Sequence, residues 1–426
     1  MTAWASHQED VPQSALAEPV RRVTGLWITG LVLVNVGINA AFFGPIQVLI
    51  GQQAQAFDAN NKEGILALVT GAGAAVALVA NPLFGAFSDR TWSRFGRRRP
   101  WVLIGALLAT VALVALAGAP NVAAATALWC LVQLGANGAY AAVTAAIPDR
   151  SPVEQRGSVG GLAAMGQTVG VLLGAVIAAA VSGNFALGYV VCGAALVLGV
   201  VLYVTSAADD PLPRSAIEPF SMRRFLAGFW VNPRRYPDFA WAWITRFLVN
   251  LGNHMVTLYL LFFLGDAVHL KETQGIDPAT GVLILTGLYA VFVIITSVIG
   301  GKLSDRMGKR KPLVIGSSVI IAVASLTIGF FPVWPGAIIG ACILGIGFGT
   351  YLAVDTALNT QVLPTARDRG KDLGVINIAN SLPQVIAPTI AFPFVAFWGG
   401  YISLYVAAAV IGLLGAVFVT RIRSVA

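Results

Sequence analysis

Apolar residues dominate this chain in twelve long runs, each broken off by a short polar or charged cluster. The runs fall at about 23–50, 64–87, 101–119, 122–148, 158–181 and 185–206. After a Pro- and Arg-rich stretch they resume at about 238–265, 279–302, 313–331, 337–363, 373–397 and 401–421. Crossing about 30 Å of hydrocarbon as a helix takes about 20 residues, which each run approaches or exceeds. Backbone groups in hydrocarbon need partners within their own segment, so the pattern predicts an all-α polytopic membrane protein with twelve transmembrane helices.

The polar punctuation repeats. After the second run stand Gly85, Ser88, Asp89 and Arg90, then Thr91 to Phe95, then Gly96, Arg97, Arg98, Arg99 and Pro100. After the eighth stand Gly301, Ser304, Asp305, Arg306, Gly308, Lys309, Arg310, Lys311 and Pro312. In both, an acid and a base precede a glycine turn, three bases and a proline that opens the next run. The fourth and tenth runs also match, with Gly138, Tyr140, Val143 and Thr144 against Gly349, Tyr351, Val354 and Asp355. Such self-similarity means one structural plan used twice. The predicted organisation is a tail at 1–22, a six-helix half at 23–206, a linker at 207–237, a second half at 238–421 and a tail at 422–426.

Composition agrees: 57% of residues are hydrophobic and 11% charged, with a mean hydropathy of +0.79, far too apolar for a soluble domain of this length. The net charge of +8 is dispersed between apolar runs, whereas a nucleic-acid binder needs a contiguous basic surface. No nucleic-acid partner is expected. With the N-terminus cytoplasmic, every Lys and Arg except Lys62, Lys271 and Arg246 falls on the cytoplasmic side, which predicts a multi-pass protein of the cell membrane with both termini inside. Cys130, Cys192 and Cys342 lie within apolar runs and read as packing residues. The first residues carry no cleavage pattern and read as a tail rather than a signal peptide.

Polar residues recur on single helical faces. The fourth run carries Gln133, Asn137, Tyr140 and Thr144, the seventh Arg246, Asn250, Asn253 and Thr257, the first Asn35 and Asn39, and the tenth Tyr351, Asp355 and Asn359, at spacings of three and four. A lone amide in a membrane helix serves as interhelical glue worth about 0.6 kcal/mol; four such stripes point to a cavity and to substrate-binding residues. Asp355 and Arg246 are the exceptional groups, because a charge at the centre of a span costs about 2.5–3.5 kcal/mol. We expect them to pair, with protonation of Asp355 releasing Arg246 or the substrate. His254 lies roughly 80° off its stripe and is expected to pack. No Ser/His/Asp set, metal-ligand cluster or phosphate loop suggests an enzyme, and no cofactor is expected.

The twelve helices, the six-plus-six repeat and the paired Gly-x-x-x-Asp-Arg loops resemble the major facilitator superfamily of secondary transporters. The first loop's four-residue insertion, through Ser93, Arg94, Phe95 and Gly96, resembles the sucrose-transporter-like and glycoside-cation symporter branch. The resemblance implies that helices 1, 4, 7 and 10 line the transport site. It also implies a cytoplasmic gate in which Asp89 and Asp305 meet a helix N-terminus and an arginine, with Arg90, Gly96, Arg97, Arg156, Arg306, Gly308 and Arg369 around them. Arg150 or Arg156, and Arg367 or Arg369, are the candidate partners, while Arg97 to Arg99 chiefly set orientation. Proton-coupled symport of a sugar or glycoside is the expected function; the alternative is proton-driven export of drugs or natural products. Helices 1 and 2 contain no acid, which departs from sodium-coupled members. The expected partners are a small-molecule substrate, protons and the lipid bilayer, and the chain is expected to be monomeric. Gly166, Gly170 and Gly174 in helix 5, against three prolines in helix 11, suggest one tight and one pliable helix where the halves rock.

Overall fold

The computed structural model describes residues 19, 22–181, 183–206, 221, 222, 233–307, 309–361 and 369–423, without the side chains at 153, 154, 157, 305, 356, 357, 359–361, 369–374, 376 and 377. Twelve helices among these are long and apolar enough to cross a membrane. They are α1 (Gly25–Phe57), α2 (Lys62–Ser88), α3 (Arg99–Ala117), α4 (Val122–Arg150), α5 (Val153–Ala180) and α6 (Phe185–Ser206), then α7 (Pro237–Ala267), α8 (Pro278–Met307), α9 (Lys311–Phe330), α10 (Trp334–Gln361), α11 (Arg369–Ala396) and α12 (Gly400–Val419).

Local chemistry sets their ends. Pro100 and Pro312 sit in the first turns of α3 and α9, where a missing N–H deprives no acceptor. Thr24 and Asn121 accept from Trp27 N and Ala124 N, capping α1 and α4. α2 starts earlier than the sequence suggests, so Glu63 falls in its first turn and the second span does carry an acid. α1 and α7 run past their expected ends, and each contains a π-helical turn, Pro45–Leu49 and Phe263–Ala267. Such turns add a residue without ending the helix and concentrate at functional sites.

Packing follows one plan in each half. α1 packs on α5 and α6, α4 on α2 and α3, and α3 on α6; six helices on, α7 packs on α11 and α12, α10 on α8 and α9, and α9 on α12. The halves meet along α2 with α11 and α5 with α8. Leu103, Leu107 and Val111 on α3 and Val291, Ile294 and Val298 on α8 are exposed, giving the apolar exterior that suits lipid. The glycines of α5 face α1: a methyl group added at Gly166, Gly170 or Gly174 would stand 2.7 Å from Val32 O, 2.5 Å from Val36 O or 2.6 Å from Gly44 N. The tight approach therefore joins two helices of one half and is not the surface on which the halves would move. The end of the bundle bearing residues 89–98 and 309–310 is the basic end; the opposite end bears 58–61, 268–277 and 397–399.

Candidate functional site

A cavity of about 480 Å³ lies between the halves, walled chiefly by α1, α5, α7, α8, α10 and α11. A chamber of about 70 Å³ shares Phe43, Gln47, His254, Thr257 and Gln384 with it and reaches α2 and α4. Of the predicted stripes, Asn39, Asn250, Asn253 and Thr257 line the cavity and Gln133 lines the chamber. Others turn elsewhere. Asn35 is buried beside Gly166 and donates to Leu31 O at 2.8 Å. Asn137 donates to Gln133 O and Oε1, both at 2.9 Å, so it orients Gln133. Tyr140 interacts with Gln167 of α5, and Thr144 donates back to Tyr140 O at 2.7 Å. The side chain of Asn359 lies outside the described residues.

Several wall residues escape the sequence patterns above. Phe43 and Gln47 continue the four-residue spacing of Asn35 and Asn39 across the π turn of α1, and Asn380 and Gln384 form a matching pair on α11. Phe43 and Gln47 fall within the first apolar run and Asn380 and Gln384 within the eleventh, so the spacing is a readable signal in the sequence. His254 faces both spaces rather than packing away from them.

Beside the cavity, Arg246 Nη1 and Asp355 Oδ2 pair at 2.9 Å, with side-chain exposures of 12% and 6%. Tyr351, expected on the wall, is fully buried and donates its hydroxyl to Asp355 Oδ1 at 2.9 Å. Arg246 Nε donates to Asn380 Oδ1 at 2.8 Å, and Asn250 Nδ2 donates to Arg246 O at 2.8 Å and to Asn380 Oδ1 at 3.2 Å. Two charges inside a span are thus held by each other and by neutral donors and acceptors, the condition under which buried charges persist.

The opposite end is tied across the halves. Lys62 Nζ of α2 pairs with Asp266 Oδ1 of α7 at 2.6 Å and lies 5.0 Å from the Phe262 ring centroid. Tyr401 of α12 donates to Asp266 Oδ2 at 2.8 Å, and Tyr259 donates to Glu63 O at 3.4 Å. Lys62 and Asp266, and Glu63 and Tyr259, are some 200 residues apart, and charge placement marked Lys62 only as an exception.

At the basic end the first-half cluster departs from the expected pairing. Asp89 pairs with Arg98 at 2.5 Å, not with Arg150 or Arg156, and Asp149 holds Arg97 at 2.6 Å and Arg98 at 2.7 Å. Arg97 and Arg98 are buried, so they do more than set orientation: they fasten the ends of α2, α3 and α4 together. Burial disfavours the Arg98 charge, but Asp149 and Asp89 more than offset this and raise its pKa. Gly96 adopts φ +87°, open to glycine at little cost. Arg90 donates to Ala86 O and Arg156 to Ser151 O and Pro148 O. In the second half Arg306 is exposed, while Gly308 and the side chains of Asp305 and Arg369 lie outside the described residues.

Two helical halves around a cavity of amide and apolar side chains, tied across the halves at one end, are the arrangement of a membrane transporter. The chain belongs to the Major Facilitator Superfamily, whose profile matches residues 28–276 and 257–425. It is 29% identical over 108 residues to "Probable polyol transporter 3" of Arabidopsis thaliana, covering 25% of this chain and 20% of that one. It is 26% identical over 342 residues to "Putative proline/betaine transporter" of Staphylococcus haemolyticus, covering 74% and 67%. The first match therefore spans about a fifth of its relative. A solved POT family transporter in complex with a thioalcohol conjugated peptide shares the fold at a TM-score of 0.76 and 12% identity, over 92% of this chain and 95% of that one. A bacterial homologue of the human lysosomal transporter Spinster, inward-facing and occupied, gives 0.68 and 15%, over 93% and 94%.

Proposed function

We propose that this transporter works by alternating access and moves a neutral, hydroxyl-rich solute such as a sugar, glycoside or polyol in symport with protons. The character of the cavity wall carries this. Asn39, Gln47, Asn250, Asn253 and Gln384 offer amide donors and acceptors beside the rings of Phe43 and Tyr289, while the adjacent charges, Arg246 and Asp355, are matched to each other. Amides serve hydroxyl groups as donor and acceptor alike, and aromatic faces give rings a flat apolar surface. A charged or zwitterionic solute would have to break an existing ion pair to find a countercharge. One relative reported above, a probable polyol transporter of Arabidopsis thaliana, supports this class.

Asp355 serves as the proton carrier and Arg246 as the group it holds or releases. The distribution of Lys and Arg supports a cytoplasmic basic end with both termini inside the cell membrane. The Lys62–Asp266 tie would then close the outer side, as in an inward-facing carrier. Proton-driven export of drugs or natural products is the second possibility, favoured by the apolar part of the wall at Val282, Leu285, Val293, Leu344 and Phe348.

Thermal unfolding in lipid nanodiscs with sucrose, sorbitol, ethidium and rhodamine 6G separates the two. A ligand at 100 times its Kd stabilises the folded state by about 2.7 kcal/mol. Sucrose or sorbitol is expected to raise the midpoint; a response to the two dyes alone overturns the solute class.

A further inference from the structure

Asn380 joins the ion pair to the cavity. Its Oδ1 accepts from Arg246 Nε at 2.8 Å and from Asn250 Nδ2 at 3.2 Å, and both Asn250 and Asn380 line the cavity. An amide oxygen has two lone pairs, and here both are taken. A solute hydroxyl that donates to this oxygen must displace one of the two donors. Arg246 is the consequential one, because its guanidinium is a rigid plane. Nε cannot turn to a new acceptor without swinging Nη1, which holds Asp355 Oδ2 at 2.9 Å.

We propose that Asn380 is the positioning residue that links solute occupancy to protonation: it seats Arg246 against Asp355 in the empty carrier and yields its oxygen when a solute enters. Solute binding then pulls the guanidinium off Asp355, and a carboxylate deprived of its countercharge takes up a proton more readily. The sign is that of symport, since solute and proton each favour the binding of the other. This rests on the Arg246–Asp355 pair being the coupling site.

Among the described residues that contact Arg246, Asn250 and Asn380 line the cavity. On α10, Tyr351 donates to the other carboxylate oxygen, Asp355 Oδ1. His254 on α7 lies eight residues beyond Arg246, about 12 Å along the helix. On α12, which packs against α7, Tyr401 and Tyr405 lie toward the opposite end and Arg421 lies past the helix. Of the helices packed on α10, α8 brings Tyr289 on the cavity wall and Lys302 and Arg306 near its basic end, and α9 brings Lys311 at its start. On α11, Asn380 and Gln384 are neutral and the side chains of Lys371 and Asp372 lie outside the described residues.

The test is infrared titration of the Asp355 carboxyl in the full-length protein in nanodiscs, the band being assigned by its absence in Asp355→Asn. In the empty carrier Asn380→Ala is expected to move this titration upward by about one pH unit, a tenfold change in proton affinity. Asn380→Gln, which keeps an amide oxygen, is expected to bring it most of the way back. Saturating sucrose or sorbitol should raise the titration in the wild type and leave it unmoved in Asn380→Ala. An Asn380→Ala carrier whose empty-state titration matches the wild type overturns the proposal, and does so even if its unfolding midpoint falls, since that result assigns Asn380 a merely structural role. The empty-state comparison needs no solute, so a wrong solute class does not disguise the outcome. Wild-type uptake indifferent to an imposed pH gradient would instead remove the coupling site, and this inference with it.

Discussion

The two halves set different chemistry on one scaffold. In α1 Asn35 donates to Leu31 O, and in α7 Asn250 donates to Arg246 O, each at 2.8 Å. In α4 Thr144 stands four residues after Tyr140, and in α10 Asp355 stands four after Tyr351. At both matched places the first half has an uncharged residue and the second a charge. Thr144 turns back onto its own helix, donating to Tyr140 O and Ala141 O, whereas Asp355 reaches Arg246 on another helix. The first half gathers Arg97, Arg98, Asp89 and Asp149 at the basic end instead. The packing plan is thus satisfied without an internal ion pair, and the pair in the second half is best explained by what it does.

The largest expected effect breaks that pair. Asp355→Asn leaves Arg246 buried without its carboxylate, and removing one partner of a buried pair costs about 3–5 kcal/mol. The unfolding midpoint should fall steeply and proton-driven accumulation should be lost. Giving the second half the first half's residues, Arg246→Leu with Asp355→Thr, should return stability to within about 1 kcal/mol of wild type, because replacing both partners avoids a stranded charge. Transport by that double variant should ignore pH. A double variant as unstable as the single one would contradict the comparison.

Next comes the α1–α5 seam. Gly170→Leu must displace backbone at Val36 and is expected to destabilise by at least about 1–3 kcal/mol. Gly287→Ala on α8, where a methyl group meets nothing within 4 Å, should be neutral or stabilising by up to about 1 kcal/mol. Equal losses at both positions would argue against a specific close approach.

Lys62→Gln should cost about 1 kcal/mol, since Lys62 is 11% exposed but its partner Asp266 is 38% exposed, and solvent at one partner screens an ion pair. Its expected signature is kinetic: an impermeant maleimide added from the opposite end should reach a cysteine introduced at Thr257 several-fold faster. An unchanged rate would separate this tie from closure.

The smallest expected effect is that of pH on the basic end. Asp149 and Asp89 hold the folded pKa of Arg98 above its ordinary value, so its contribution is complete below the ordinary guanidinium range and is lost only above it. The stability difference between wild type and Arg98→Leu, expected at about 1.5–3 kcal/mol, should therefore be the same at about pH 7 and about pH 9.

Helix positions and the repeat were legible because hydrocarbon admits only long apolar runs here and the Asp-Arg loops punctuate both halves alike. Arg246 and Asp355 were legible for a similar reason: a charge within an apolar run is rare and demands a partner. Side-chain direction was less so. Asn35 and Asn39 share a spacing, yet Asn35 turns to α5 and Asn39 to the cavity, because neighbouring helices decide which part of a face is covered. Gln47 keeps the four-residue spacing of Asn35 and Asn39 through the π turn, so it was legible in principle. Lys62 with Asp266, and Arg246 with Asn380, join residues more than a hundred positions apart, and no local pattern announces either.

Uptake of sucrose and sorbitol into proteoliposomes under an imposed pH gradient tests most directly whether the second-half ion pair couples solute to protons. The wild type is expected to accumulate at least one of them above equilibrium with the acid side outside, and the Arg246→Leu, Asp355→Thr variant only to equilibrate it. Accumulation by the double variant equal to that of the wild type would contradict the assignment.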